Sequence, residues 1–219
     1  PQPSGMAEIV DTVRTVAIAL GAAVLIQTVA FQPFTIPSAS MEPGLVVGDY
    51  LVVSKSAYGW SRASLPFNPP LPSGRLFGSE PKRGDVVVFR RPSDPQQTWI
   101  KRVIGLPGDT VSVTDGVVTV NGVALPQRAL GPGLDLDQPG RPVERVEERQ
   151  ADGRVYVTFD GGPDLEGDTR PAQVVPEGEL FVMGDNRDNS LDSRWSPDVG
   201  VGLLPVANGI INVGLALSR

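Results

Sequence analysis

The most strongly patterned part of the chain is an apolar run near its start. From Thr15 to Phe31 the sequence carries no charged residue, and Gln27 is its only strongly polar side chain. Extended to Phe34, the run reaches the roughly 20 residues that a helix needs to cross the hydrocarbon core of a bilayer. The pattern therefore predicts a transmembrane anchor over residues 13–34, preceded by a short cytoplasmic tail over residues 1–12.

The residues beside this run indicate its orientation. Arg14 precedes the run, and the next basic residue is Lys55, a bias that favours an N-terminus inside and a domain outside. A cleaved signal peptide is the alternative interpretation, but the small-residue cleavage site after the run is weak. Pro1 to Gly5, which come before Met6, are set aside as linker residues.

Beyond the run, short alternating segments predict β-strands. Val86 to Phe89 and Thr98 to Ile104 are typical strand segments, and 111–125 holds two hairpin signals, Asp-Gly and Asn-Gly. Residues 45–53 predict two short strands around a Gly-Asp turn, and 210–217 fits a buried strand better than a second membrane span. With 25 glycines and 22 prolines in the chain, we expect an all-β fold of antiparallel sheets with few long helices.

The composition changes over residues 126–170. Proline, glycine and charged residues dominate there, and only Val155 to Phe159 resembles a strand. We interpret the segment as a smaller inserted β subdomain with a solvated exterior, so that the main β domain comprises residues 35–125 and 171–219. Within it, Trp60 to Glu80 is interpreted as an irregular loop or ribbon whose apolar side chains contact either the bilayer surface or the domain.

A dense polar run, Gly184 to Arg194, follows the apolar segment Leu180 to Met183. It does not fit a calcium loop, because no register places acidic or amide groups at positions 1, 3 and 5, glycine at 6 and glutamate at 12. We expect a loop packed on strands, in which buried polar groups must satisfy one another.

Composition narrows the available chemistry. The chain contains no histidine and no cysteine, which excludes a Ser-His-Asp triad, thiol nucleophiles, disulfides and most transition-metal sites. Its net charge of -6 argues against a nucleic-acid partner. A serine nucleophile would therefore need a lysine or an N-terminal amine as its base.

Two of the three lysines are poor candidates for that base. Lys82 belongs to a Ser-x-x-Lys sequence that begins at Ser79, but Pro81 and Gly84 disfavour the helix that would bring the two side chains together. Lys55 is predicted at a solvated strand end.

Lys101 differs from both. Strand alternation places it on one face with Trp99 and Val103, so its ammonium emerges from an apolar patch. Burial in such a patch would lower its pKa and raise the fraction of neutral amine at pH 7. A lysine that reaches water from a sheet edge is the alternative.

Four segments resemble, in chain order, the characteristic blocks of bacterial type I signal peptidases. These blocks are Phe34 to Leu45, Arg83 to Phe89, Ile100 to Asp109, and Gly184 to Arg194. The apolar run before the first block resembles the membrane anchor of that family. The resemblance covers roughly 31–109 and 177–217, and it implies an all-β catalytic domain of antiparallel sheets preceded by one transmembrane helix.

The resemblance also implies roles for individual residues. Ser40 matches the nucleophile and Lys101 the general base, while the hydroxyl of Ser38 joins the Ser40 N–H in an oxyanion hole. Ser190 matches the residue that hydrogen-bonds and orients the lysine. The resemblance assigns a supporting charged network to Asp185, Asp192 and Arg194. It assigns the lining of the substrate pockets to Phe34, Ile36, Met41, Leu45, Trp99 and Ile100. At Trp99 the chain departs from the smaller aromatic residue associated with the family.

The implied function is a membrane-anchored serine endopeptidase that removes signal peptides from exported preproteins after Ala-x-Ala sites. It would use a Ser-Lys dyad, an acyl-enzyme and no cofactor. It would act as a monomer in the bacterial inner membrane, with its catalytic domain on the outer, periplasmic face and with signal peptides and the lipid bilayer as partners. Two alternatives stay open: a self-cleaving Ser-Lys regulatory protease of related fold, and a non-catalytic anchored β domain that binds partners through the ribbon from Trp60.

Overall fold

A computed structural model describes residues 5–54, 79–206 and 211–217. Lys55 and the predicted ribbon up to residue 78 lie outside them. The described chain forms one helix, α1 (Gly5–Ala30), and the strands β1 (Phe31–Thr35), β2 (Tyr50–Ser54), β3 (Val86–Arg90), β4 (Thr98–Gly105), β5 (Thr110–Thr114), β6 (Val117–Val120), β7 (Val123–Ala124), β8 (Gln127–Leu134), β9 (Pro142–Arg149), β10 (Val155–Asp160), β11 (Arg170–Val174), β12 (Glu179–Met183), β13 (Leu204–Pro205) and β14 (Ile211–Leu217).

The strands form three sheets, and the predicted antiparallel β fold is confirmed. The main sheet has the order β1-β2-β14-β3-β4-β12-β13, a four-stranded sheet has the order β11-β5-β6-β7, and a three-stranded sheet has the order β10-β9-β8. Neighbouring strands in all three run antiparallel. The predicted strand over 210–217 corresponds to β14, in the interior of the main sheet.

The helix of the structure does not coincide with the predicted anchor over 13–34. The helix runs from Gly5 to Ala30, and residues 31–35 form an edge strand in which Pro33 lies opposite Val52. Proline cannot continue a helix, but an edge strand tolerates it because its missing N–H would face away from the sheet. Within the described residues, no helix is both long enough and apolar enough to cross a membrane.

Two strand predictions also need correction. Strands β8 and β9 form within 126–170 in addition to the one strand that we expected there. The sequence did not predict them, because their glycines and charged residues are typical of a loop. Gly131, at a positive φ of 91°, sits at a register shift of β8, so that glycine marks a bulge within a strand. Of the two strands expected over 45–53, only β2 forms, since Asp49 Oδ2 accepts a hydrogen bond from Val46 N at 3.0 Å and closes the preceding residues into a turn.

Two apolar clusters meet at β4 and fix its position. Val103 packs in one cluster with Phe89 and Leu180, while Ile100, on the opposite face, packs in another with Ile36 and Met41. The burial of alternate positions on both faces makes β4 a central, rigid strand of the main sheet.

Candidate active site

The short turn between β1 and β2 carries Ser40. Residues Ala39–Met41 form a single 3-10 turn, and Met41 is completely buried beneath it. The flanking chain is closed by a backbone hydrogen bond from Ile36 N to Asp49 O and by another from Leu45 N to Met41 O, both 3.0 Å long. The buried anchors and these bonds hold Ser40 in a fixed position, where its side chain is 7% exposed.

Lys101 lies on β4 and reaches Ser40. Its residue is opposite Val87 of β3, and its side chain is 3% exposed. Lys101 Nζ donates a hydrogen bond to Ser40 Oγ at 2.7 Å, and the same Nζ lies 5.5 Å from the ring centre of Trp99. The structure thus joins a residue of the β1–β2 turn to a residue of β4, although the two are separated by 61 positions in the chain.

The electrostatic environment of Lys101 favours the neutral amine. Burial lowers the pKa of Lys101 to about 8, because the ammonium loses its hydration. The charges of Asp192 and Asp185 act in the opposite direction, and that of Arg194 adds to the lowering. Neither aspartate forms an ion pair with the lysine, because Asp185 is engaged by Arg102 and Asp192 by Arg194.

The two other serines predicted for the site, Ser38 and Ser190, differ in their contacts with Ser40 and Lys101. Ser38 Oγ lies 3.3 Å from Ser40 Oγ, close enough to share the same reacting centre. Ser190 Oγ is buried and makes no hydrogen bond with any group in the described part of the chain, so the expected bond from Ser190 to Lys101 is not formed. The lysine-orienting role of Ser190 stays a prediction.

Ser40 and Lys101 open into a cavity of about 590 Å³. Of the six residues predicted to line substrate pockets, only Trp99 and Ile100 line this cavity. Ile36, Met41 and Leu45 are buried in the core beneath it, and Phe34 packs against that core, because the apolar residues of this segment face the sheet. The prediction missed the other lining side chains, which are Pro37, Gln97, Thr98, Asp188, Asn189, Leu191 and Trp195.

The predicted charged network is buried and paired. Asp185 accepts hydrogen bonds from Arg102 Nε at 2.7 Å and from Arg102 Nη2 at 2.6 Å. Asp192 accepts bonds from Arg194 Nε at 2.9 Å and from Gly184 N at 3.0 Å. Although burial raises the pKa of Asp192, the charge and hydrogen bonds of Arg194 hold it below the usual value.

A further ion pair was missed from the sequence. Arg187 forms a buried bidentate pair with Glu148 of β9, and Tyr156 of β10 donates a hydrogen bond to the same carboxylate at 2.8 Å. The polar run was expected to satisfy its own buried groups, whereas these partners of Arg187 come from the inserted sheet. Glu148 gave no signal in the sequence, because acidic residues are abundant on both sides of it.

Gly184 is essential to the close packing of this run. A β-carbon at this position would lie 2.3 Å from Ser190 Oγ and 2.5 Å from the carbonyl oxygen of Ser40. Real β-carbons do not approach other atoms so closely. The glycine therefore allows the polar run to lie directly against the turn that carries Ser40.

Comparisons with known proteins identify the family of the chain. A family model described as signal peptidase, peptidase S26, matches residues 9–215. The signal peptidase I of Rickettsia canadensis is 37% identical over 206 residues, which cover 90% of this chain and 75% of that protein. The signal peptidase I of Rickettsia akari is 39% identical over 197 residues, covering 86% of this chain and 71% of the relative.

A solved crystal structure of a signal peptidase I from Enterococcus faecalis is 27% identical, covers 64% of this chain and 98% of its own, and superposes with a TM-score of 0.35. The family assignment rests on the sequence matches, which extend over most of the chain. The resemblance seen in the four sequence blocks is confirmed, and the chain belongs to the bacterial type I signal peptidases, which are serine peptidases of family S26.

Proposed function

We propose that the chain is a membrane-anchored serine endopeptidase that removes signal peptides from exported preproteins, with Ser40 as nucleophile and Lys101 as general base. The observation that carries the proposal is the 2.7 Å contact between Lys101 Nζ and Ser40 Oγ at one end of a cavity. The low exposure of both residues and the lowered pKa of the lysine support it.

The reaction begins with deprotonation of the serine. Neutral Lys101 accepts the Ser40 hydroxyl proton while Oγ attacks the scissile carbonyl carbon and forms a tetrahedral oxyanion. The oxyanion collapses, the C–N bond breaks, and the Lys101 ammonium gives its proton to the departing amine. The neutral lysine then deprotonates a water molecule that attacks the carbonyl carbon of the acyl-enzyme. The ester C–O bond breaks, the Lys101 ammonium returns the proton to Ser40 Oγ, and the signal peptide leaves with a free carboxyl end.

Ser38 is the candidate oxyanion donor. Its hydroxyl lies 3.3 Å from Ser40 Oγ and lines the same cavity, so it is close to the position of the substrate carbonyl oxygen. A donor of this kind contributes about 3 kcal/mol to transition-state stabilisation. The backbone N–H of Ser40 is the second donor in this proposal.

The walls of the cavity support a preference for small side chains at the cleavage site. Two indoles, Trp99 and Trp195, line the cavity together with Ile100 and Leu191. Trp99 is fixed by a hydrogen bond from its Nε1 to Gln97 Oε1 at 3.1 Å. Because these bulky side chains occupy the walls beside Ser40, we expect the substrate residues that contact them to be small, such as alanine. This expectation agrees with a small-x-small site.

Membrane anchoring is part of the proposal and is supported by the uncharged sequence from Thr15 to Phe31. In this proposal the catalytic domain lies on the periplasmic face of the bacterial inner membrane, where signal peptides emerge. One chain supplies the serine, the lysine and the oxyanion donor, and this supports action as a monomer.

The test is cleavage of a purified secreted preprotein by the detergent-solubilised enzyme, with the cut mapped by mass spectrometry. We expect cleavage after a small-x-small site, and we expect Ser40→Ala to abolish it. Failure of the folded wild type to cleave, or equal cleavage by Ser40→Ala, would contradict the proposal.

A further inference from the structure

Three consecutive residues in the connection between β8 and β9 contact the candidate active site. The connection that contains Asp135, Leu136 and Asp137 reaches the turn carrying Ser40 through Leu136. Each contacts a different part of the site: Glu42, Asn186 or Asn189. We name residues 135–137 the insertion clamp.

The first contact is made to the nucleophile turn. Glu42 lies two residues after Ser40 and is 1% exposed. Its Oε2 accepts a hydrogen bond from Leu136 N at 3.2 Å, while its own backbone N–H donates to Ala39 O at 3.0 Å. Glu42 therefore links the end of the Ser40 turn directly to the insertion clamp.

The second contact reaches Ser40 from the opposite direction. Asp135 is fully buried, and its Oδ2 accepts a hydrogen bond from Asn186 Nδ2 at 3.3 Å. The backbone N–H of Asn186 in turn donates to the carbonyl oxygen of Ser40 at 3.1 Å. The other carboxylate oxygen of Asp135 accepts the N–H groups of Asp137 and Gln138, both at 3.0 Å, and so fixes the shape of the clamp.

The third contact is at the cavity wall. Asp137 Oδ2 accepts a hydrogen bond from Asn189 Nδ2 at 3.1 Å, and Asn189 lines the cavity beside Ser190. The clamp thus holds the nucleophile turn, the carbonyl of the nucleophile and one wall of the substrate cavity.

The energetics favour a positioning role over simple packing. Burying Glu42 and Asp135 in one region is costly, since each carboxylate loses hydration and the two repel each other. Arg141 Nη1, 3.6 Å from Asp135 Oδ2, offsets part of this cost. Burial, followed by the charges of Asp135 and Asp137, raises the pKa of Glu42, although the Leu136 hydrogen bond opposes this effect. Apolar side chains would connect the two segments at lower cost, but without fixed hydrogen-bond directions.

We propose that the insertion clamp positions Ser40 for attack, with Glu42, Asp135 and Asp137 as positioning residues. The inserted sheet is then a working part of the active site. This inference rests on the proposed function only in its use of preprotein cleavage as a readout.

The test compares matched variants of the full chain. Glu42→Leu removes the acceptor for Leu136 N, whereas Glu42→Gln keeps a carbonyl acceptor of the same length. Because small displacements of reacting groups reduce rates steeply, we expect Glu42→Leu to lower kcat about tenfold or more with KM within about twofold. We expect Glu42→Gln to retain wild-type kcat.

Asp137→Ala provides a second variant at an exposed position, and Leu134→Ala, at the adjacent exposed end of β8, is its control. We expect Asp137→Ala to lower kcat and Leu134→Ala to leave it unchanged. Hydrogen–deuterium exchange of peptides covering residues 40–45 and 184–190 gives a readout that does not depend on activity. Exchange should rise in Glu42→Leu and Asp137→Ala and stay at wild-type rates in the two controls.

The outcomes separate the two proposals. Wild-type protein that fails to cleave the preprotein, with exchange altered as described, refutes the proposed function and retains the clamp. Wild-type kcat and wild-type exchange in both Glu42→Leu and Asp137→Ala would refute the role of the insertion clamp. An equal loss of kcat in Glu42→Leu and Glu42→Gln would refute it as well. If Glu42→Leu does not fold, the comparison of kcat and exchange between Asp137→Ala and Leu134→Ala tests the insertion clamp.

Discussion

Lys101 illustrates how the burial of one residue can set the chemistry of a site. An ordinary lysine with a pKa near 10.4 is neutral in fewer than about one molecule in a thousand at pH 7. With the pKa lowered to about 8, roughly one tenth of the molecules carry the neutral amine at pH 7 and about nine tenths at pH 9. The arginines that engage Asp185 and Asp192 preserve this effect, because they keep both carboxylates from pairing with the lysine.

The value of kcat/KM should therefore rise about tenfold between pH 7 and pH 9, with a midpoint near 8. The sign follows from the base: its active form is the deprotonated one, which accumulates as the pH passes through the folded-state pKa. Initial rates on a signal-peptide substrate at several pH values measure this profile.

Lys101→Arg is the matched control, since a guanidinium keeps the charge and does not deprotonate in this range. It should be inactive at every pH tested. A flat wild-type profile, measured with chemistry limiting the rate, would rule out Lys101 as the base.

The sequence predicted the positions of some residues of the site better than those of others. The alternation of β4 predicted that Lys101 shares a face with Val103, and the two residues do lie in a buried environment. The pocket residues were harder to predict, because Ile36, Met41 and Leu45 are equally apolar whether they line a cavity or fill a core. Only the direction of each side chain distinguishes these cases, and that direction depends on contacts between distant segments.

Among the elements, the polar run 184–194 depends most strongly on one small residue. Gly184→Ala should displace either Ser190 or the Ser40 turn, because the added carbon would lie 2.3 Å from Ser190 Oγ. We expect a loss of about 1–3 kcal/mol in unfolding free energy, the usual cost of overpacking, together with at least a tenfold loss of kcat. Denaturant unfolding and steady-state kinetics measure the two effects.

Gly140→Ala is the corresponding control. An added carbon there meets no atom within 4 Å, and the position does not need a positive φ. It should change neither stability nor kcat appreciably. Wild-type behaviour of Gly184→Ala would show that the run tolerates displacement.

Strands with clear alternation were predicted well, and those with unusual composition were not. The valine-rich β5 and β6 alternate between buried and partly buried positions as expected. The apolar run of β3 also forms a strand, with three consecutive buried residues. Strands β8 and β9 have one face that is mostly polar and exposed, and the pairing that makes them strands comes from partners elsewhere in the chain. The contacts of β9 and β10 with the polar run could not be inferred for the same reason.

For the whole molecule, the proposed anchor makes a kinetic prediction. Deleting residues 1–30 leaves β1 and the main sheet complete, but it removes the segment that would hold enzyme and substrate in one membrane. Because confinement raises the effective concentration, the deletion should raise KM for a membrane-bound preprotein by more than it lowers kcat. The comparison uses preprotein in lipid vesicles, with a short soluble peptide as the control substrate, for which KM should not change.

Equal kinetics of the full and shortened chains on the vesicle-bound preprotein would show that residues 1–30 do not contribute to substrate capture.

The position of β14 bears on the order in which the main sheet can form during synthesis. This strand lies between β2 and β3, and so joins the half of the main sheet that holds the Ser40 turn to the half that holds Lys101. A growing chain emerges from the ribosome with both residues long before β14 is made. The main sheet is then incomplete, because β14 is the strand that pairs with both β2 and β3. We expect proteolytic activity to appear only after residues 211–217 have been translated and β14 has completed the sheet.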